Sequence, residues 1–186
     1  MNLIKMTKRL FVGVPLEPAA VKVLKQLQAK WQMLLNLPVS TLIPEENFHL
    51  TLHFLGSIHE TQIVHIQEGL KSHEQCGSFL FSLGQCLAFP NQNRARVISL
   101  AGSAGNSPLS YLFQQVGTTL ETLGVPLETR VFVPHVTLLR FGELLIPEMP
   151  VVAEPLNIKV SSYVLYLSEQ LEGKTTYRAV QSWRLK

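Results

Sequence analysis

The 186-residue chain has no aspartate: all 13 of its acidic residues are glutamates. That absence weighs against chemistries built on aspartate, among them a Ser-His-Asp triad, an aspartyl-phosphate intermediate, an EF-hand and an aspartate-built two-metal nuclease. Cysteine is scarce too. Cys76 and Cys86 are too few for a disulfide framework or a Cys-rich zinc site and read as reduced, buried thiols. Charged residues make up 16% of the chain, against roughly 25% in ordinary globular proteins. With 46% apolar residues the chain can bury a substantial core. No run of 18 apolar residues suggests a membrane span, and no signal-peptide cleavage pattern follows the N-terminus. These features predict a cytoplasmic protein away from membranes, with one domain or two tightly packed lobes over 1–186 and a monomer as the default.

The net charge, 16 − 13 = +3, says little about partners. Its distribution says more: no acidic residue lies between Glu74 and Glu121, and Arg94 and Arg96 fall inside that gap. A mildly positive face toward a phosphate-bearing ligand and an ordinary solvated loop both fit.

Hydrophobic periodicity predicts strands over Lys8–Pro15, Phe48–Gly56, Phe79–Ala88, Ala95–Ala101, Arg130–Phe141, Ile158–Leu167 and Thr176–Arg184. Helices are predicted from Pro18, with a stripe of Ala20, Leu24, Leu27, Trp31 and Leu34, then over Glu60–Ser72, and from Ser107-Pro108 to Gly124. The mixture points to the α+β class. It also contains a repeat. A strand at Arg9-Leu10-Phe11-Val12, a helix and a strand opening at His49 are followed by a strand at Arg96-Val97-Ile98-Ser99, a helix and a strand opening at His135, with 135 − 49 = 86. A unit of this size cannot bury its sheet alone, so the expectation is a duplicated, two-lobed fold with a pseudo-two-fold axis. Antiparallel sheets would face a central groove, the two histidine strands on opposite sides of it and helices packed outside.

Within the repeated strands His49-Leu50-Thr51-Leu52 matches His135-Val136-Thr137-Leu138. Strand side chains alternate, so each His-x-Thr offers an imidazole and a hydroxyl to one surface. Two such pairs suit in-line displacement at phosphorus: one imidazole serves as base, the other as acid, and the hydroxyls donate to the non-bridging oxygens. Strict alternation also puts His53 on the face of His49, although its counterpart Leu139 favours a structural role. His59, His65 and His73 read as surface residues. Arg140 falls on the opposite face from His135 unless a bulge swings it back. Phe11 reads as a core aromatic, with base stacking as the alternative.

At these residues the sequence resembles the two-histidine phosphoesterase superfamily, and within it the bacterial RNA 2′,3′-cyclic phosphodiesterases, also known as 2′-5′ RNA ligases. Arg9-Leu10-Phe11-Val12-Gly13 resembles the family's opening. Phe48-His49-Leu50-Thr51-Leu52 with Phe54-Leu55-Gly56 resembles its first motif, and Pro134-His135-Val136-Thr137-Leu138-Leu139-Arg140 its second. The resemblance implies a two-lobed α+β fold and hydrolysis of RNA 2′,3′-cyclic phosphate ends to 2′-phosphates without metal or cofactor, with reversible 2′-5′ RNA ligation as a further capacity. It implies His49 as proton donor to the departing 3′-oxygen and His135 as proton acceptor from water. Thr51, Thr137 and Arg140 would bind the phosphate. Competing readings are a non-catalytic nucleotide- or RNA-binding module and a phosphodiesterase acting on a small cyclic nucleotide.

Overall fold

The computed structural model describes residues 6–186. The element order is β1 (Thr7–Pro15), α1 (Pro18–Leu34), β2 (His49–His59), α2 (Glu60–Leu70), β3 (Phe79–Leu83), β4 (Gln85–Phe89), β5 (Ala95–Ala101), α3 (Pro108–Thr122), β6 (His135–Leu144), β7 (Leu156–Val160), β8 (Ser162–Leu171) and β9 (Lys174–Arg184). The class is α+β, as expected. Proline opens both α1 and α3, and the Ser107 hydroxyl caps α3 by accepting from the Ser110 N–H at 3.3 Å. Gly124, at φ +74°, supplies the left-handed residue that follows α3. The buried face of α1 is Ala20, Leu24, Gln28 and Trp31. It is rotated from the expected stripe: Leu34 is exposed and Leu27 only half-buried.

Two predicted strands prove to be two strands each. Phe79–Ala88 breaks at Gly84, where a Cβ would lie 3.3 Å from the Pro155 ring, and Ile158–Leu167 breaks at Ser161. The freed pieces β3 and β7 pair with each other in a separate two-stranded sheet. The strand predicted from Arg130 begins only at His135, after Pro134, which has no N–H for a ladder.

The halves also join differently from the expectation. Instead of two separate sheets meeting face to face, one seven-stranded sheet runs β4-β5-β6-β2-β1-β8-β9, so the two histidine strands are neighbours. They meet at a single antiparallel register pair, Leu50 opposite Val136. Continuous antiparallel ladders flank this seam, β1 on β2 and β5 on β6.

The helices tie the halves together. α1, from the first repeat, contacts β6 of the second, and α3, from the second repeat, contacts β2 of the first. Each repeat thus covers the apolar strand face of the other, which is why neither could bury its sheet alone. Leu50, Leu52, Val136 and Leu138 lie on this helix-covered face with Leu24, Leu112 and Val116.

Candidate active site

On both histidine strands a bulge re-aims the side chains. Thr51 pairs with Gly13 and His53 with Val12, so Leu52 is passed over. Thr137 pairs with Ser99 and Leu139 with Ile98, so Leu138 is passed over. The extra residues are repeat counterparts, 138 − 52 = 86. Each bulge shifts the alternation by one, so the residues after it change faces. Arg140 thereby returns to the open face shared by His135 and Thr137, where it is exposed. His53 goes the other way, correcting its placement beside His49. It is 7% exposed, stacks on Phe113 of α3 at 4.1 Å, and its Nε2–H donates to the Phe113 carbonyl at 2.8 Å. Burial lowers its pKa.

His49 and His135 are held alike. His49 Nδ1 lies 2.7 Å from the Asn47 carbonyl and His135 Nδ1 2.7 Å from the Val133 carbonyl. A carbonyl only accepts, so Nδ1 carries the hydrogen in both rings. Nε2 is then a bare acceptor in the neutral imidazole and a donor in the imidazolium. Each ring rests on a phenyl ring at 4.7 Å, His49 on Phe11 and His135 on Phe89. Phe11, 2% exposed, is therefore a core support under the histidine, not a surface for a base. Tyr177 of β9 meets His49 edge-on at 5.0 Å. Gly13, opposite Thr51, makes room: a Cβ there would lie 3.0 Å from the Leu50 carbonyl and 3.4 Å from the His49 ring.

The hydroxyls break the symmetry. Thr51 Oγ1 lies 3.0 Å from His49 Nε2, and donates to it when the ring is neutral. Thr137 Oγ1 instead accepts from the hydroxyl of fully buried Ser99 at 3.5 Å, and no side chain among the described residues bonds His135 Nε2. Burial lowers both imidazole pKa values. His49 falls to about 4, chiefly through burial and further through the charge of His135, with the Asn47 carbonyl opposing. For His135 burial dominates, opposed by the Val133 carbonyl.

Beyond the bulges, the open face differs between halves. Arg140 has no carboxylate partner among the described residues and edges an open cleft with Ser40, Thr41 and Gly142. Its counterpart, 140 − 54 = 86, is Phe54, an aromatic ring 51% exposed on the same face. Sequence reading missed Phe54, although the repeat offset pointed to it once Arg140 was singled out. Tyr177 and Phe89 were also missed, because only the sheet order brings β9 and β4 to the histidines.

Arg94 and Arg96 do not form a free positive face. Both bond Glu143, Arg94 Nε at 2.8 Å and Arg96 Nη2 at 2.9 Å, and these bonds hold the Glu143 carboxyl below its ordinary pKa. His59 is exposed beside Thr61 and His65 bonds its own helix, whereas His73 is half-buried against Thr119. Cys76 and Cys86 are free and half-buried, with the Cys86 thiol pushed up to about 12 by burial.

The profile of a family described as LigT-like phosphoesterases matches residues 14–99. The chain is 36% identical over 107 residues to an RNA 2′,3′-cyclic phosphodiesterase of Aeropyrum pernix, covering 56% of this chain and 58% of that protein. To the protein of the same name from Thermotoga maritima it is 31% identical over 136 residues, covering 69% and 71%. The match to the Methanocaldococcus jannaschii protein of that name spans 63% of its length, so the first relatives are covered by somewhat more than half. Among solved structures, Escherichia coli LigT complexed with 3′-AMP superposes with a TM-score of 0.83 at 22% identity over 97% of this chain and 99% of that one. A Thermus thermophilus protein superposes with a TM-score of 0.78 at 25% identity, over 95% and 97%.

Proposed function

Because the chain belongs to the LigT-like phosphoesterase family, we propose that it is an RNA 2′,3′-cyclic phosphodiesterase that opens the cyclic phosphate to a 2′-phosphate. One observation carries the reading: two imidazoles at counterpart positions beside the seam each have Nδ1–H tied to a main-chain carbonyl, which leaves two Nε2 atoms for proton transfer.

The cyclic phosphate sits between the two rings. Neutral His135 accepts a proton from water through Nε2, and the water oxygen bonds to phosphorus from that side. The bond from phosphorus to the 3′-oxygen breaks on the opposite side, and the His49 imidazolium donates its Nε2–H to the departing oxygen. The 2′-phosphate and a free 3′-hydroxyl result. Thr51 turns its hydroxyl from His49 to a non-bridging oxygen, Thr137 donates to another, and Arg140 balances the charge that grows there. Burial favours the neutral form of His49; a bound phosphate anion favours its charged form and so prepares the acid. With an RNA 5′-hydroxyl in place of water, the same step forms a 2′-5′ linkage: His135 takes the proton of the 5′-hydroxyl, its oxygen bonds to phosphorus, and His49 protonates the departing 3′-oxygen. The two histidines exchange roles only when that linkage is cleaved back to the cyclic phosphate.

Exposed Phe54 gives an apolar surface on which a nucleobase can stack, and Arg140 a cation for the phosphate, which favours a nucleotide over a simple phosphate ester. The test is incubation of a short RNA ending in a 2′,3′-cyclic phosphate, with the product resolved as 2′- or 3′-phosphate. A 2′-phosphate is expected. Tight binding of a nucleoside 2′-phosphate with no turnover of any cyclic phosphate would instead identify a binding module.

A further inference from the structure

Arg140 reaches the open face only because of the bulge at Leu138, and a side chain on the far side of the sheet holds that bulge. Gln28 is the one polar residue on the buried face of α1, between Leu24 and Trp31, and is 6% exposed. Its amide nitrogen donates to the Leu138 carbonyl at 2.7 Å and to the Ile43 carbonyl at 2.8 Å. The Ile43 N–H donates to the same Leu138 carbonyl at 3.0 Å, and Leu42 forms an isolated bridge with Leu139.

A bulged residue has no ladder partner, and a buried carbonyl without a donor is costly. An amide in an apolar helix face is costly as well unless both of its hydrogens are used. Here the two requirements meet, which accounts for a glutamine at a position where leucine would pack. The first half clamps its corresponding bulge by other means, docking the His53 ring on Phe113. Only the half that carries Arg140 uses Gln28.

We propose that Gln28 is a positioning residue that pins the Leu138 bulge and thereby keeps Arg140 facing the phosphate. The inference rests on the reading of Arg140 as a phosphate ligand. Without the donor, the Leu138 carbonyl keeps only the Ile43 N–H, the bulge loosens, and the guanidinium no longer has a fixed origin.

A double-mutant cycle tests this. Gln28→Met keeps the length and removes the donor. It should raise KM for a 2′,3′-cyclic phosphate about tenfold while kcat changes much less, the signature of lost binding shared by ground and transition states. Arg140→Ala should do the same, and adding Gln28→Met to Arg140→Ala should cost nothing more. Ile43→Pro removes the other donor to Leu138 and should reproduce the effect independently. Urea unfolding confirms that each variant is folded. The same proteins are titrated with a nucleoside 2′-phosphate by calorimetry, so that binding is read even without turnover. Additive losses in the double variant, or unchanged KM and affinity in folded Gln28→Met, overturn the proposal. So does an Arg140→Ala variant with unaltered binding. Failure of the wild type to open any cyclic phosphate would instead overturn the hydrolase reading, with the calorimetric cycle still deciding the role of Gln28.

Discussion

Leu50 and Val136 form the one register pair that joins the two halves of the sheet, and they are each other's counterparts in the repeat, 136 − 50 = 86. An antiparallel pair of equivalent residues lies on the two-fold axis that relates them. The residues flanking the pair, His49 and Thr51 on one strand and His135 and Thr137 on the other, therefore share the open face around that axis. In the proposed in-line displacement an acid and a base act on opposite sides of one phosphorus, a requirement that two histidines related by a two-fold axis suit.

The pair also predicts how activity depends on packing. Leu50 is fully buried, so Leu50→Ala should cost about 2–5 kcal/mol of stability. At a temperature where the variant is still folded, kcat/KM should also fall, because the seam sets the spacing of the imidazoles. Leu83→Ala, at a fully buried position of β3 in the separate two-stranded sheet, is the control for a comparable loss of packing away from the seam. Denaturant melts alongside steady-state kinetics compare the two.

His49→Ala and His135→Ala should each lower turnover of the cyclic phosphate by about 10²–10⁴-fold, the usual worth of a positioned acid or base. Circular dichroism should show an unchanged fold. Turnover close to wild type in either folded variant would remove the two-histidine mechanism.

The pH dependence of kcat/KM should be bell-shaped, because one imidazole must be charged and the other neutral. Burial holds both below 6.5, His49 at about 4. The maximum should therefore lie on the acid side of pH 6.5. The profile of kcat should lie higher, since the bound phosphate anion favours the imidazolium. A kcat/KM maximum well above pH 7 would contradict the burial of these rings.

Stability should fall with acid over the same interval. His49, His53 and His135 are all held below 6.5 in the folded chain and return to about 6.5 when it unfolds. The unfolded state then binds more protons, so their contribution is complete above pH 6.5 and is lost as pH falls through the folded values. His53→Leu, which installs the residue of the other half, should flatten this decline in urea midpoints.

A chelator such as EDTA should leave turnover unchanged, since the chain's own imidazoles, hydroxyls and Arg140 carry each proposed step. Loss of activity restored by a divalent cation would assign the reaction differently.

Much of this was legible in the chain. The repeat offset, the paired His-x-Thr segments and the prolines opening α1 and α3 are local patterns, and all three reappear at their expected places. The misplacements share one cause, that strand alternation counts residues without knowing the register. It put His53 on the open face and left Arg140 there only conditionally, until the bulges at Leu52 and Leu138 settled both. Gln28 carried no signal, because a glutamine on a helix reads as solvated until its two carbonyl partners, at Ile43 and Leu138, are seen.

The missing aspartates and the duplicated histidines were determined by the sequence alone, and together they are what the proposed imidazole proton transfer starts from. Composition and spacing are properties of covalent order and need no fold to be read. Which atoms face one another was decided only in three dimensions. The crossed packing of α1 on β6 and α3 on β2, the single seam pair and the two bulges all depend on contacts between residues far apart in the chain. Such contacts form only when the apolar faces of both halves are buried at once.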